Sequence, residues 1–598
     1  MEIVINWKKV RNYSVGIGLV ALLTFCFFSF QYSYDLSHTV SCTFALLNGH
    51  ILDFYDYCLN QFTEINYTPT TYLLFALWNL PLKLLGLSPE LNVGRPDLPL
   101  GILFWNKLFL CGIYVATAVF IYKIAQALEW KKDDSKVCAI IWCLLPVGVF
   151  VQFSLGLYDI ITVFFMVLGL YYFVKDRQWL FVLFFALAIT CKTIALLYFF
   201  PFLLVREKRI TRLILNLLGC FSIYLLYFIL LRNDAAFIDG VLGWSIIDLV
   251  FYSNIWFINP AIIILVVTFA WAYFRDPIDS KQKAFSEGIF FSNIVSFAFF
   301  GTCLFHPNWI LMITPFLIFS LCMHKQKRGY LWVVIILSVA YYAFFANMPG
   351  PHSEGLIAQG IWGEKGLGVL QPVFALHSLY KIDSLDITYS VMSAALLVVA
   401  IFSHPRFLEP DHKAFELKKV KIEFSVICGL GILAFVVPAM LSAIPTGIQS
   451  GVVYEAYDDS SHESLAYIGE TDGQFEQKIL NEVEHWTKIE ISSITWDQEY
   501  NDEAYCNMLI IDDSSQEVLY CIPLELNELT NNTGYCSIEI PEITLTPNSW
   551  YTIRFEGNLQ DQKLAVTTTG TDYFRVGTGY IKIGENTEQT MKMRIWGS

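Results

Sequence analysis

Up to about Ile444 the apolar residues come in long runs separated by short polar or basic turns, and beyond that point the pattern changes to short alternating segments. A helix that crosses a bilayer needs about 20 mostly apolar residues. The first such run, Tyr13 to about Gln31, follows Lys8, Lys9 and Arg11 and lacks a small-residue cleavage site, so it reads as a retained anchor with a cytoplasmic N-terminus. The next run, Thr70 to Leu87, raises a question of parity. If it crossed, the run from Leu100 to Leu128 would deliver Lys131, Lys132 and Lys136 to the outside, against the rule that Lys and Arg collect on the cytoplasmic face. It is therefore expected along the outer interface, with Trp78, Pro81 and Lys83 at headgroup depth, inside one large external loop of residues 32–99.

The same rule orders the rest. Basic turns at Lys131 to Lys136, Lys175 to Arg177, Arg206 to Arg212, Arg275 to Lys283, Lys325 to Arg328 and His404 to Lys421 are cytoplasmic. Turns at Ser154 to Asp159, Cys191 to Thr193, Arg232 to Asn254, Phe305 to Asn308 and Asn347 to Asp386 are external. The result is an α-helical polytopic membrane protein of about 13 spans, whose last span, about Phe424 to Ile444, leaves the tail outside.

In the tail, Trp486–Ile494, Met508–Ile511, Ser537–Ile540, Trp550–Phe555 and Met591–Trp596 alternate apolar and polar residues between Asn, Gly and Pro turns. That pattern predicts an all-β sandwich of jelly-roll type over 448–598, following a helical domain of 1–447, with a linker within Ile448 to Thr487.

Composition agrees with the pattern. The chain is 55% hydrophobic and 15% charged, against about 25% charged for ordinary soluble domains, which excludes a soluble enzyme, a disordered scaffold and a nucleic-acid binder. From Ile444 onward there are 26 acidic and 8 basic residues, leaving 27 acidic and 31 basic before it. So acidic a tail does not suit anionic lipid or nucleic acid as a partner. Most of the 14 cysteines, Cys26, Cys111, Cys138, Cys143 and Cys220 among them, lie in apolar runs and read as small hydrophobes; no metal-binding Cys pattern occurs. Cys506, Cys521 and Cys536 allow at most one disulfide among themselves.

Ionisable groups near the outer face are the first candidates for chemistry, because charge at membrane depth persists where it is paired, wetted or functional. The first loop holds Asp35, His38, Asp53, Asp56 and Glu64, which a solvated loop would equally carry; Asp35 stands out, a few residues beyond an apolar run, at the mouth of the bundle. Asp159, Lys192 and His306 stand on external turns, where a helix cap, a snorkelling lysine and a hydrogen-bonded turn histidine are the plain readings. Tyr67 and Pro69 shape the loop. His352 and Glu354 lie in a long loop that suits a lid, and Trp496, Tyr500 and Tyr505 either stack on sugar rings or fill the tail's core.

Tyr34-Asp35-Leu36, Leu46-Leu47-Asn48-Gly49-His50 and Asn66 to Tyr72, ahead of an interfacial helix, resemble the first external loop of GT-C superfold glycosyltransferases. That superfold includes protein O-mannosyltransferases, lipid A aminoarabinose transferases and polyprenyl-phosphomannose-dependent mannosyltransferases. Gly156-Leu157-Tyr158-Asp159 followed by Cys191-Lys192-Thr193 and Phe200-Pro201, and Phe305-His306-Pro307-Asn308-Trp309-Ile310-Leu311 with Pro315-Phe316, resemble two further segments of those enzymes. The likeness spans residues 10–325. The chain departs at Leu36, Leu157, Thr193 and Asn308, where the family more often has a second acid, Gln, Pro and Arg.

The resemblance implies a membrane glycosyltransferase that moves a sugar from a polyprenyl-phosphate donor to an envelope glycan, glycolipid or protein acceptor outside the plasma membrane of a bacterium, inverting the anomeric carbon. An endoplasmic reticulum location with a luminal tail has the same topology. Asp35 is expected as catalytic base, with Asp159, Asp53 or Asp56 supplying the second carboxylate. His38, Tyr67, Lys192, His306, Asn308, His352 and Glu354 are expected to bind substrate. Asp159 and a first-loop carboxylate are a possible pair for a divalent metal, Mg or Mn. A transporter or lipid flippase is the rival, though no internal repeat appears and the candidate charges gather toward one face. An anchored sensor or adhesin would not need so many spans.

Overall fold

A computed structural model describes residues 34–88, 98–242, 258–347, 384–409 and 422–433 of the apolar part and 452–597 of the tail, each with short gaps. The chain divides at residues 443 and 444 into a helical and a β unit, close to the expected boundary at 447.

Among the described residues of the helical unit, three helices, Gly101–Ala127, Ile210–Leu231 and Lys327–Phe345, are long and apolar enough to cross a membrane. Lys132–Leu144 with Pro146–Phe153 makes a fourth if that pair, bent by 50°, is one span. The bend has a local cause: Pro146 disfavours helical ψ in the residue before it, and Leu145 is extended at φ −64°, ψ 116°. The other apolar helices among the described residues run 10–17 residues. The expectation of about 13 full spans is thus met only as a largely helical unit with a few helices of spanning length. The apolar runs are cut where Asp159, Lys192 and Pro307 interrupt them. The first expected span lies outside the described residues, and of the last only Ile422–Gly431 is described.

The expected interfacial element is the helix Pro69–Leu84. Thr70, Thr71, Tyr72, Phe75, Ala76 and Asn79 form its buried face, while Leu73, Leu77, Leu80 and Leu84 repeat at helical spacing on the exposed one. Asn79 and Asn106 exchange side-chain amide bonds of 2.8 and 3.0 Å with the helix Leu100–Ala127. The Trp78 ring stacks on Trp105 at 4.7 Å, and each indole N–H donates to the other residue's carbonyl. Lys83 donates to the Asn48 side chain.

Helix Asp159–Val174 packs against Gln178–Cys191, and Ala195–Arg206 against Lys281–Phe300. Close approach of the first pair depends on Gly169, where a Cβ would fall 2.6 Å from the buried Phe185 ring. Gly169→Ala should cost about 1–3 kcal/mol by overpacking. A purified variant that melts with the parent in detergent would contradict that reading.

Among its described residues the β unit holds three antiparallel sheets. One runs Thr578–Lys582, Glu476–Asn481, Ser549–Asn558, Tyr505–Asp512, Val518–Pro523. A second runs Phe574–Val576, Val452–Ala456, Met593–Gly597, His485–Ile491, Cys536–Ile538, with Ile543–Thr544 also on His485–Ile491. The third runs Gln589–Met591, Leu564–Gly570, Ser464–Ile468, with Ser493–Ile494 on its middle strand. Alternation fixes which faces meet: Tyr551, Ile553 and Phe555 from the first sheet join Ile489, Ile491 and Ile595 from the second and Leu564 and Val566 from the third in one apolar core. Trp486 joins them out of phase with Ile489, at a register shift opposite Trp596 and Gly597.

All five segments expected as strands hold strand, Ser537–Ile540 only as far as Ile538 and Met591–Trp596 with a break at Lys592. The expected linker is not simply a linker: Val452–Ala456, Ser464–Ile468 and Glu476–Asn481 are strands within it, and the last is paired on both sides. Its Gln477 and Lys478 obscured the alternation, since both are buried and bonded, Gln477 to the Tyr454 hydroxyl and Lys478 to Asp513. Cys506, Cys521 and Cys536 are free thiols, so the disulfide left open among them is absent, and Cys111 is disulfide-bonded rather than a mere hydrophobe.

Candidate active site

Tyr67, Asp159, Lys192 and Asn308, drawn from four separate parts of the sequence, meet in the helical unit. Helix Gln178–Cys191 ends at Lys192, which is extended, and the helix Ala195–Arg206 starts three residues later. This tight reversal turns the lysine inward. Its Nζ lies 3.3 Å from Asp159 Oδ1 and donates to the Tyr67 hydroxyl at 3.1 Å. The rings of Tyr67, Trp309 and Tyr158 stand 4.5, 5.2 and 5.9 Å from it. Such a cage favours a cation that water no longer solvates. Lys192 is only 5% exposed, so it does not snorkel.

Asp159 opens the helix Asp159–Val174 without capping it, because Tyr158 occupies the cap position and no side-chain cap bond forms. Its Oδ2 accepts from Asn308 Nδ2 at 2.6 Å. Asn308 lies in the 3-10 turn Pro307–Ile313, held by the Tyr341 hydroxyl donating to the Pro307 carbonyl at 3.0 Å. His306 precedes that turn with its ring 4.9 Å from Trp309. Tyr67 stands just before helix Pro69–Leu84, whose Thr68 and Thr70 hydroxyls donate to the Thr190 carbonyl and hydroxyl.

Four helical segments therefore begin around one ammonium: Pro69–Leu84, Asp159–Val174, Ala195–Arg206 and Pro307–Ile313. The first N–H groups of Ala195–Arg206 are taken by the carbonyls of Lys192, Thr193 and Ile194, so what each start offers is the positive end of its helix dipole. One carboxylate, Asp159, pairs with the ammonium at this junction.

The other expected residues divide. Asp53 is exposed and accepts from His50 at 2.9 Å, which holds its carboxyl below the ordinary range. Asp56 accepts from the Ala236 amide at 2.9 Å and so ties two loops together. Burial lowers the His38 ring below its ordinary range. Asp35 lies in the first turn of helix Tyr34–Leu47, with its side chain outside the described residues. Glu64, His352, Glu354 and Trp496 also lie outside them. Tyr500 is 6% exposed in the tail's core and offers no ring to a sugar, whereas Tyr505 is exposed at the start of its strand.

Among the described residues, the carboxylates expected to hold a divalent metal do not come together. Both Asp159 oxygens face the Lys192 and Asn308 side chains, Asp53 and Asp56 are engaged elsewhere, and no group of three His, Cys, Asp or Glu gathers among the described residues.

Asp234 went unrecognised in the sequence. It accepts from the backbone amides of Tyr55 at 2.9 Å, Asp56 at 3.1 Å and Phe237 at 3.0 Å, while the Tyr55 hydroxyl donates to the Tyr67 carbonyl at 2.6 Å. Burial pushes its carboxyl above the ordinary range against the pull of those amides. Asp234→Asn sets an NH2 against an N–H and should cost about 1–3 kcal/mol. Faster proteolysis of the 48–68 segment is the expected result; unchanged cleavage would separate Asp234 from the loop that carries Tyr67. No pattern could have flagged it, since its partners are main-chain groups.

Compared with known proteins, the sequence matches no family model and no curated protein.

Proposed function

We propose that the helical unit is a membrane glycosyltransferase of GT-C type, taking a sugar from a polyprenyl-phosphate donor and adding it to an envelope glycan, glycolipid or protein on the extracytoplasmic side of a plasma membrane. The convergence of four helix starts on the caged Lys192 carries this reading. In the transfer, the acceptor oxygen bonds to the anomeric carbon, the bond from that carbon to the phosphate oxygen breaks, the hydroxyl proton goes to a carboxylate, and polyprenyl phosphate leaves with its negative charge. Lys192 stabilises that charge, aided by the positive ends of the helix dipoles around it. Tyr67, Asp159 and Asn308 are positioning residues that hold the ammonium, and Asp35 is the base, with inversion at carbon.

The short helices complete about 13 membrane segments, and the exposed leucine stripe of Pro69–Leu84 rests on the outer leaflet. The β unit is an extracytoplasmic jelly-roll-like accessory, with Tyr505 as its exposed aromatic for carbohydrate.

The full chain, reconstituted in liposomes with a panel of polyprenyl-phosphate sugars and acceptors, should release free polyprenyl phosphate from one donor. Movement of intact lipid-linked sugar across the bilayer without turnover would favour a flippase instead.

A further inference from the structure

At the opposite end of the bundle from Lys192, a cleft of about 450 Å³ opens between the helices Pro260–Phe274, Lys281–Phe300 and Ser384–Phe402. Its distance from the transfer site follows from connectivity. Helix Ala195–Arg206 leaves Lys192 and ends among basic turns, and Thr314–Met323 leaves the Pro307–Ile313 turn and ends at His324 and Lys325. The volume lies within the range of about 300–1,000 Å³ typical of ligand pockets.

The walls are apolar: Trp271, Phe290, Phe297 and Leu397. Beside them Ile263, Val267 and Ile401 are more than half exposed, so the cleft opens sideways onto an apolar outer surface. One end is different. His404 and Arg406 line it, with the His404 ring edge-on to Phe290 at 5.0 Å. His404 Nδ1 accepts from the Arg406 amide at 3.2 Å, which leaves Nε2 as the nitrogen that carries a proton. The Arg406 side chain is exposed over Phe407, and Lys325 donates to the Arg406 carbonyl at 2.6 Å. Arg275 is neutralised by Glu287 at 2.9 Å and Glu409 interacts with Lys327, so Arg406 and Lys325 supply the local positive charge.

We propose that this cleft is a binding site for an anionic phospholipid of the leaflet opposite the transfer site, one acyl chain between the aromatic walls and the phosphate on Arg406 and His404. A chain entering from the side buries apolar surface that water would otherwise wet, and the cations at the end select headgroup charge. The proposal needs the helical unit to lie in a bilayer but not the glycosyltransferase reading.

The test is native mass spectrometry of the full chain released from nanodiscs of phosphatidylglycerol, phosphatidylcholine or an equal mixture, with glycerol 3-phosphate as a soluble competitor. One phosphatidylglycerol should be retained at least tenfold more than phosphatidylcholine. Arg406→Glu should reduce that retention about tenfold, and Leu397→Trp, at a partly exposed wall position, should displace the lipid without loss of folding. Equal retention of both lipids, or no effect of either variant, overturns the proposal. Displacement by glycerol 3-phosphate alone also overturns it, marking a phosphate site that needs no acyl chain. None of these readouts depends on turnover, so an inactive transferase would leave the result intact.

Discussion

Lys192→Met should abolish release of polyprenyl phosphate and also destabilise the protein, because it strands the Asp159 carboxylate, 1% exposed, with only Asn308 as partner. Removing one member of a buried ion pair costs about 3–5 kcal/mol, whereas replacing both with neutral groups is often tolerated. The informative variant is therefore the double one. Lys192→Met with Asp159→Asn removes both charges, keeps the aromatic cage, and should recover most of the lost thermal stability while remaining inactive. Recovery of activity along with stability would show that the pair only holds the fold.

Asp35→Asn should behave in the opposite way. A general base contributes about 10²–10⁴-fold to rate, so transfer should fall by that factor, while the melting curve stays with the parent because the carboxamide keeps the size of the carboxylate. Raising the pH should not rescue it, as the carboxamide has no proton to lose. A variant retaining more than about a tenth of parental turnover would move the base elsewhere in the first loop.

Much of this site could be read from the chain. Asp159, Lys192 and Asn308 stand where apolar runs break, and a charge at the break between two short helices has either to reach water or to find a partner. Which of these happens was not legible. Periodicity treats a snorkelling lysine and a caged one alike, because the difference is made by Tyr67, 125 residues away in sequence, and by Trp309. The same holds for Asp159, whose position at a helix start suggested a cap until Asn308 and Lys192 claimed its two oxygens. The pairing of Trp78 with Trp105 was likewise not legible, because Trp105 lies in a different apolar run. In the tail, alternation found the strands whose inner faces are wholly apolar. It passed over Glu476–Asn481, where a buried Gln and Lys take bonds that no local pattern announces.

The most direct measurement is binding of unsubstituted polyprenyl phosphate to the reconstituted full chain and to the Lys192→Met, Asp159→Asn double variant. If the caged ammonium and the helix starts around it hold the departing phosphate, the parent binds saturably and the folded double variant binds at least tenfold more weakly. Equal affinity in the two proteins would contradict a phosphate site at Lys192.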